Sequence, residues 1–315
     1  MIWVNLAIFL ASCFFLIQSG NWLVKSLTKI AAFLRLSEFV VGFIIMAFAT
    51  SVPELFVGIT SAFAKNSALS LGNVIGANII NLTLVVGITV LLSRGIKIES
   101  KKTRTDALYM VFIAALPMVL MVIGRSLSRV DGVILLFVFA IYARRVLKQR
   151  KSFKKEVEDG IKRKDIVFTT IFFVLSLALL FLSAKFVVDS ATELSVYLEL
   201  PPIIVGLFIL SIGTTLPELT FGSRAAMKGH PDMALGNSIG SVVVNSTLVL
   251  GVVSIIHPIT SNILLFSTSA IFMVVIAFLF ATFVESGNKL YIKEGISLIM
   301  LYILFVVIEF YIKTV

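Results

Sequence analysis

The apolar residues of this chain come in long blocks. They do not follow the alternation of a half-buried strand or the one-sided stripe of a soluble helix. Ten blocks are legible, at roughly 4–33, 38–64, 69–93, 105–124, 130–147, 166–197, 202–227, 232–256, 261–284 and 293–312. About 20 apolar residues carry a helix across the hydrocarbon of a bilayer. A backbone in lipid must satisfy its own hydrogen bonds, which leaves helices or closed barrels, and barrel-type alternation is absent. The pattern predicts an all-α membrane protein of ten transmembrane helices, with no separate soluble domain. The first block is too long for a signal-peptide core and has no clear small-residue cleavage site, so it predicts a retained span.

Two interruptions of the apolar pattern are alike. "FATSVPELFVG" (Phe48–Gly58) and "IGTTLPELTFG" (Ile212–Gly222) each set a proline and a glutamate inside a predicted span. A shift of 164 residues lays Pro53 on Pro217 and Glu54 on Glu218, and it also lays Gly42 on Gly206. The same shift lays "LGNVIGANIIN" (Leu71–Asn81) on "LGNSIGSVVVN" (Leu235–Asn245). Each half then holds five spans. Five is odd, so the second half enters the membrane from the opposite side. This predicts two inverted five-helix repeats, 1–143 and 166–315, joined by a linker at 144–165. Secondary transporters use such repeats and place their sites near the midplane, at interrupted helices where the halves meet.

The repeated residues suggest what such a site would hold. Pro53 and Pro217 have no N–H and clash with the carbonyl four residues back, so the carbonyls of Ala49 and Gly213 lose their helical partners. The backbone oxygens of Ala47–Ser51 and Ser211–Thr215 are therefore predicted to face a cation. Thr50, Ser51, Thr214 and Thr215 add hydroxyls. Glu54 and Glu218 open the second half-helices, where the positive end of the helix dipole favours a carboxylate. Asn81 and Asn245 add amide oxygens. The glycines of "GNxxGxxxxN" (Gly72–Asn81, Gly236–Asn245) allow close helix approach or a second break. The expected fold has discontinuous second, third, seventh and eighth helices.

Only oxygen ligands gather in these segments. Hard cations such as Ca²⁺, with about 6–8 oxygens, and Na⁺ suit the set. Zn²⁺ or Cu⁺ would call for histidine or cysteine, and the chain has one cysteine, Cys13, and two histidines, His230 and His257. Taken singly, each proline reads as a kink, each glycine as a packing contact and each asparagine as interhelical glue. The matched glutamates read as functional, because an unpaired carboxylate inside a membrane has little structural use. Lys25, Lys185, Asp189, Glu193 and Glu309 lie nearer span ends and are expected to snorkel to the interface.

Composition fits this picture: of 315 residues, 59% are hydrophobic and 14% charged. The formal charge of +10 is concentrated in "RRVLKQRKSFKKEVEDGIKRKD" (Arg144–Asp165), with a second cluster in "RGIKIESKKTR" (Arg94–Arg104). Basic loops mark the cytoplasmic side, so the charge points to lipid and not to nucleic acid. Both clusters fall on one side only if both termini are extracytoplasmic.

At the doubled motifs the chain resembles the calcium/cation antiporter superfamily, which includes the sodium/calcium exchangers. Its two alpha repeats resemble 42–91 and 206–255. Its "G-T-S-x-P-E" signature corresponds to "ATSVPE" (Ala49–Glu54) and "GTTLPE" (Gly213–Glu218), and its "GN-x-x-G-S-N" element to "GNVIGAN" and "GNSIGSV". The resemblance implies a Ca²⁺/Na⁺ antiporter without cofactor, multi-pass in the cell membrane and acting as a monomer. It implies Glu54 and Glu218 as shared central ligands of both ions. Backbone oxygens of Ala47, Thr50, Ser211 and Thr214, side chains of Ser51 and Thr215, and the amides of Asn81 and Asn245 complete the set. A further hydroxyl survives as Ser241 but is missing at Ala77, which leaves protons as an alternative counter-ion. The resemblance also implies that the first and sixth spans slide across the other eight. A cation channel is the reading from another class, disfavoured by the inverted repeat. An intramembrane hydrolase finds no paired aspartates, zinc ligands or serine–histidine pair.

Overall fold

The computed structural model describes residues 2–33, 46–98, 101–148 and 163–314. Gly42, the first part of the second predicted span and residues 149–162 of the linker lie outside the described residues.

The first half opens with α1 (Ile2–Phe33), then α2 (Met46–Thr50), α3 (Val52–Phe63) and α4 (Ser67–Ile80). It continues with α5 (Val86–Leu92), α6 (Lys101–Gly124) and α7 (Arg129–Lys148). The second half opens with α8 (Arg163–Tyr197), α9 (Pro202–Ile204), α10 (Ser211–Thr214) and α11 (Leu216–Met227). It ends with α12 (Pro231–Val244), α13 (Leu250–Ile256), α14 (Ile263–Ser286) and α15 (Ile292–Thr314). Among the described residues, seven helices are long and apolar enough to cross a bilayer. A further pair, Pro202–Thr214 with Leu216–Met227, meets the same test as one span bent by 40°. Large apolar side chains such as Trp3, Phe112, Ile123, Phe168 and Phe278 stand exposed on the outside. That surface suits lipid tails. The protein is an all-α, multi-span membrane protein.

The doubled proline does what its chemistry requires. Helix α2 stops at Ser51 (φ −83°, ψ 4°) and resumes with Pro53 in the first turn of α3. Helix α10 stops at Thr215 (φ −87°, ψ 0°) and resumes with Pro217 in the first turn of α11. The missing N–H falls where a helix start would leave it unused. The third and eighth predicted helices differ from expectation. They are not interrupted. Each runs through a wide π turn, Asn81–Val85 between α4 and α5 and Asn245–Val249 between α12 and α13. The glycines ahead of those turns allow close packing and need no break. A Cβ on Gly72 would lie 2.0 Å from the Ile203 carbonyl oxygen, and one on Gly206 would lie 2.2 Å from that of Leu69. Backbone therefore meets backbone where α4 crosses the start of the seventh predicted span.

The interior divides into two apolar clusters. One is built from α1 and α8, lying side by side, with Phe9, Leu16, Leu180 and Val187 packed against Val52, Val57 and Val205. The other is larger and joins the remaining helices, from Leu71 and Met110 to Phe280 and Phe305. Two short loop pairings tie the halves together: Ile96–Lys97 runs antiparallel to Lys289–Leu290, and Leu127 bridges Ile259.

Candidate functional site

Glu54 and Glu218 are both fully buried, each in the first turn of a resumed half-helix. The contacts around them repeat across the two halves. The Thr50 hydroxyl donates to Asn237 Oδ1 at 3.2 Å, and the Thr214 hydroxyl donates to Asn73 Oδ1 at 3.2 Å. Under the 164-residue shift these are one bond seen twice. Thr50 also lies beside Glu218, and Thr214 beside Glu54. Each broken helix thus bonds its threonine to the partner half's asparagine and sets it beside the partner half's glutamate.

The symmetry is broken at Ser241, and again at Asn78, whose repeat partner is Val242. Ser241 Oγ is 3.5 Å from Glu218 Oε1 and 3.4 Å from Thr50 Oγ1. Its repeat partner Ala77 is buried and has no hydroxyl. Deeper in, the Asn245 amide donates to Asn78 Oδ1 at 3.3 Å, and Asn78 donates to Ser246 Oγ at 2.9 Å.

Several buried oxygens have no hydrogen-bond partner among the described residues: both of Glu54, Oε2 of Glu218, Oδ1 of Asn81, Oδ1 of Asn245 and Oγ of Ser51. Native interiors rarely leave such atoms unmatched without a functional reason. Six belong to predicted site residues, a number within the ~6–8 oxygens that Ca²⁺ takes, and the Oγ atoms of Ser61 and Ser70 are likewise unpartnered. Among the described residues no group of three or more His, Cys, Asp or Glu side chains is present, so a cation here would rely on mixed oxygens. Thr215 and Ser211 serve their own helix in this conformation. The Ser211 carbonyl accepts from the Thr215 N–H at 3.1 Å and from the Thr215 hydroxyl at 2.8 Å. Ala47 lies within α2.

Sequence reasoning missed Asn73, Asn237 and Asn78. The first two stood in plain sight, as the asparagine of each "GNxxG". Their identity at matched positions was the available signal. It also misplaced Glu309, which does not snorkel. Glu309 is fully buried and accepts hydrogen bonds from Thr268, at 3.3 Å, and Ser269.

A cavity of about 690 Å³ leads toward the cluster, with Thr50 and Pro217 among its lining residues. The opposite end of the α1–α8 pair is fastened to the body where Asn66 Nδ2 donates to Thr192 Oγ1 at 3.1 Å.

Comparison with known proteins decides the family. The family model described as "Sodium/calcium exchanger protein" matches residues 4–148 and 168–311. The chain belongs to the sodium/calcium exchanger protein family. Family membership makes it an ion-exchanging membrane transporter and not an enzyme. Among relatives, the sodium/calcium exchanger MaX1 of Methanosarcina acetivorans is 30% identical, over 99% of this chain and 100% of its own length. The inner membrane protein YrbG of Escherichia coli is 26% identical, over 87% of each chain. A solved structure of the sodium-calcium exchanger NCX_Mj, soaked with Na⁺ and Sr²⁺, superposes with a TM-score of 0.70. That exchanger-family match has 26% identity and covers 98% of this chain and 99% of the other.

Proposed function

We propose that the protein is a secondary active antiporter that exchanges Ca²⁺ for Na⁺ across the cell membrane by alternating access. The observation that carries this reading is the pair of buried glutamates with partnerless oxygens, set at matched helix breaks in the two halves. Glu54 and Glu218 act as the ligands common to both ions. Asn81, Asn245, Ser51 and Thr215 contribute side-chain oxygens. Ala47, Thr50, Ser211 and Thr214 contribute backbone oxygens, with Ser241 as a further hydroxyl on one side. The Ser211 carbonyl would join on release from Thr215. Likeness to a structure soaked with Na⁺ and Sr²⁺ supports the cation chemistry.

The fold reads as ten spans in two inverted five-helix repeats, 1–143 and 166–315, around a linker at 144–165. The matched values at Ser51 and Thr215 support it. So do the loop pairings, in which Ile96 with Leu290 mirrors Ile259 with Leu127 under a shift of 163. Both termini are extracytoplasmic and the linker is cytoplasmic, as the basic loops imply. The protein acts as a monomer. The 690 Å³ cavity then opens to the cytoplasm, and the Asn66–Thr192 bond lies toward the outer end. The extensive packing of α1 on α8 supports a pair that moves as one body.

Ala77 favours a second reading, in which protons replace Na⁺. The missing hydroxyl leaves a small Na⁺ site one oxygen short. Uptake of ⁴⁵Ca²⁺ into proteoliposomes separates the two. An outward Na⁺ gradient should drive Ca²⁺ accumulation. Accumulation driven only by a proton gradient would favour the second reading. Ca²⁺ flux without any counter-ion would overturn both.

A further inference from the structure

The lining of the 690 Å³ cavity and the positions that match it in the other repeat carry opposite charge. The cavity lining includes Lys25 and Lys29 of α1 and Arg224 and Lys228 at the end of α11, all exposed, and no Asp or Glu. Under the 164-residue shift Lys25 and Lys29 fall on Asp189 and Glu193 of α8, both exposed, while Arg224 and Lys228 fall on Thr60 and Ala64. One matched position runs the other way, Asn21 on Lys185. Counting His230 as neutral, the cavity lining carries four positive charges, and the matched set in the other repeat carries a net −1.

Positive charges at cytoplasmic span ends are ordinary anchors to anionic lipid. These four differ because they line a cavity that reaches Thr50 and Pro217. A cleft with low-dielectric walls focuses the field of its lining charges onto whatever enters. Arg224 follows Glu218 by six residues in one helix, about 9 Å along the axis at 1.5 Å per residue. That is close to one Debye length, about 8–10 Å at 0.1–0.15 M salt, so its field is still felt at the site.

We propose that Lys25, Lys29, Arg224 and Lys228 make the exchange electrostatically asymmetric, weakening cation entry from the cavity side relative to the opposite side. This rests on the antiporter reading above. The ligands at the site are the same from either side. The vestibule potential is what differs between the two routes, and it acts on ion charge. Ca²⁺ feels it twice over, so the fold-change for Ca²⁺ is the square of that for each Na⁺. The four cations therefore set relative preference as well as affinity on that face.

The test installs the repeat partner's residues, Lys25→Asp with Lys29→Glu, and measures half-saturating Ca²⁺ and Na⁺ on each face. Vesicles of both orientations are used at about 20 mM and about 500 mM inert salt, where the Debye length falls from roughly 20 Å to roughly 4 Å. At low salt, half-saturating Ca²⁺ on the cavity face should fall roughly five- to tenfold and Na⁺ by about two- to threefold. The opposite face should not change, maximal rates should hold, and the difference should vanish at high salt. Lys228→Ala should shift Ca²⁺ in the same direction by less, and it serves if the double variant does not fold. Equal shifts on both faces, shifts that survive high salt, or no shift in a wild type that exchanges Ca²⁺ for Na⁺ would overturn the proposal. Absence of Na⁺-driven Ca²⁺ flux in wild type would instead overturn the antiporter reading beneath it.

Discussion

Replacing Glu54 by Gln removes one charge from the site and keeps its shape. Glu54 is fully buried and neither of its oxygens has a hydrogen-bond partner. At an effective dielectric of about 20, two unit charges 4 Å apart interact by about 4 kcal/mol, and a divalent ion doubles the figure. The amide oxygen of Gln retains part of the ligation, and the wild-type carboxylate carries a desolvation cost that the variant lacks. The net loss should be about 3–5 kcal/mol, the range found when one partner of a buried ion pair is removed. At 1.4 kcal/mol per tenfold, Ca²⁺ affinity should weaken by roughly a hundred- to several-thousandfold. Folding should not suffer, because the ion-free variant no longer buries an uncompensated charge. Thermal unfolding in detergent separates the two effects. At Ca²⁺ one hundred times the dissociation constant, wild type gains about 2.7 kcal/mol, while the variant at the same concentration should gain under about 0.5 kcal/mol. A variant stabilised by Ca²⁺ as strongly as wild type would refute the assignment, as would an ion-free melting temperature that collapses.

Other outcomes follow from the same geometry. Gly76→Ala places a Cβ 2.1 Å from the Leu207 carbonyl oxygen and should lower the melting temperature by several degrees, at about 1–3 kcal/mol or more. Gly124→Ala meets nothing within 4 Å and should be near neutral in the same assay. Ala77→Ser restores the hydroxyl that Ser241 supplies in the other half, so it should raise Na⁺ affinity or cooperativity in Ca²⁺ flux, and Ser241→Ala should lower them. Overlying Na⁺ curves for the three proteins would remove both positions from counter-ion choice. With Cys13 replaced, cysteines introduced at 150–160 should be labelled only from the cytoplasm, and those at either terminus only from outside. Termini on opposite faces would refute an odd number of spans per repeat.

The parts of the fold written in strong local chemistry were legible in the sequence. A proline removes a donor wherever it stands, so a break beside each of Pro53 and Pro217 could be foreseen, though not that Ser51 and Thr215 are the residues that leave the helix. A carboxylate in an apolar block cannot be hidden, so Glu54 and Glu218 stood out. The π turns at Asn81–Val85 and Asn245–Val249 had no such mark, because they are set by packing between helices and not by a residue type. The bonds from Thr50 to Asn237 and from Thr214 to Asn73 join positions 187 and 141 residues apart, a pairing that the register of the repeat alone does not specify. Glu309 failed for a related reason. Five residues from its helix end, it looked able to reach the interface, but Thr268 and Ser269 of α14 receive it inside.

The central claim is that one site, centred on Glu54 and Glu218, holds Ca²⁺ or Na⁺ but never both. Equilibrium binding of ⁴⁵Ca²⁺ to the purified protein, titrated with Na⁺ at constant ionic strength, tests it most directly. Wild type should lose all bound ⁴⁵Ca²⁺ along a cooperative Na⁺ curve, and Glu54→Gln and Glu218→Gln should bind almost none at the same Ca²⁺ concentration. Bound ⁴⁵Ca²⁺ that persists at saturating Na⁺, or that survives in either variant, would contradict it.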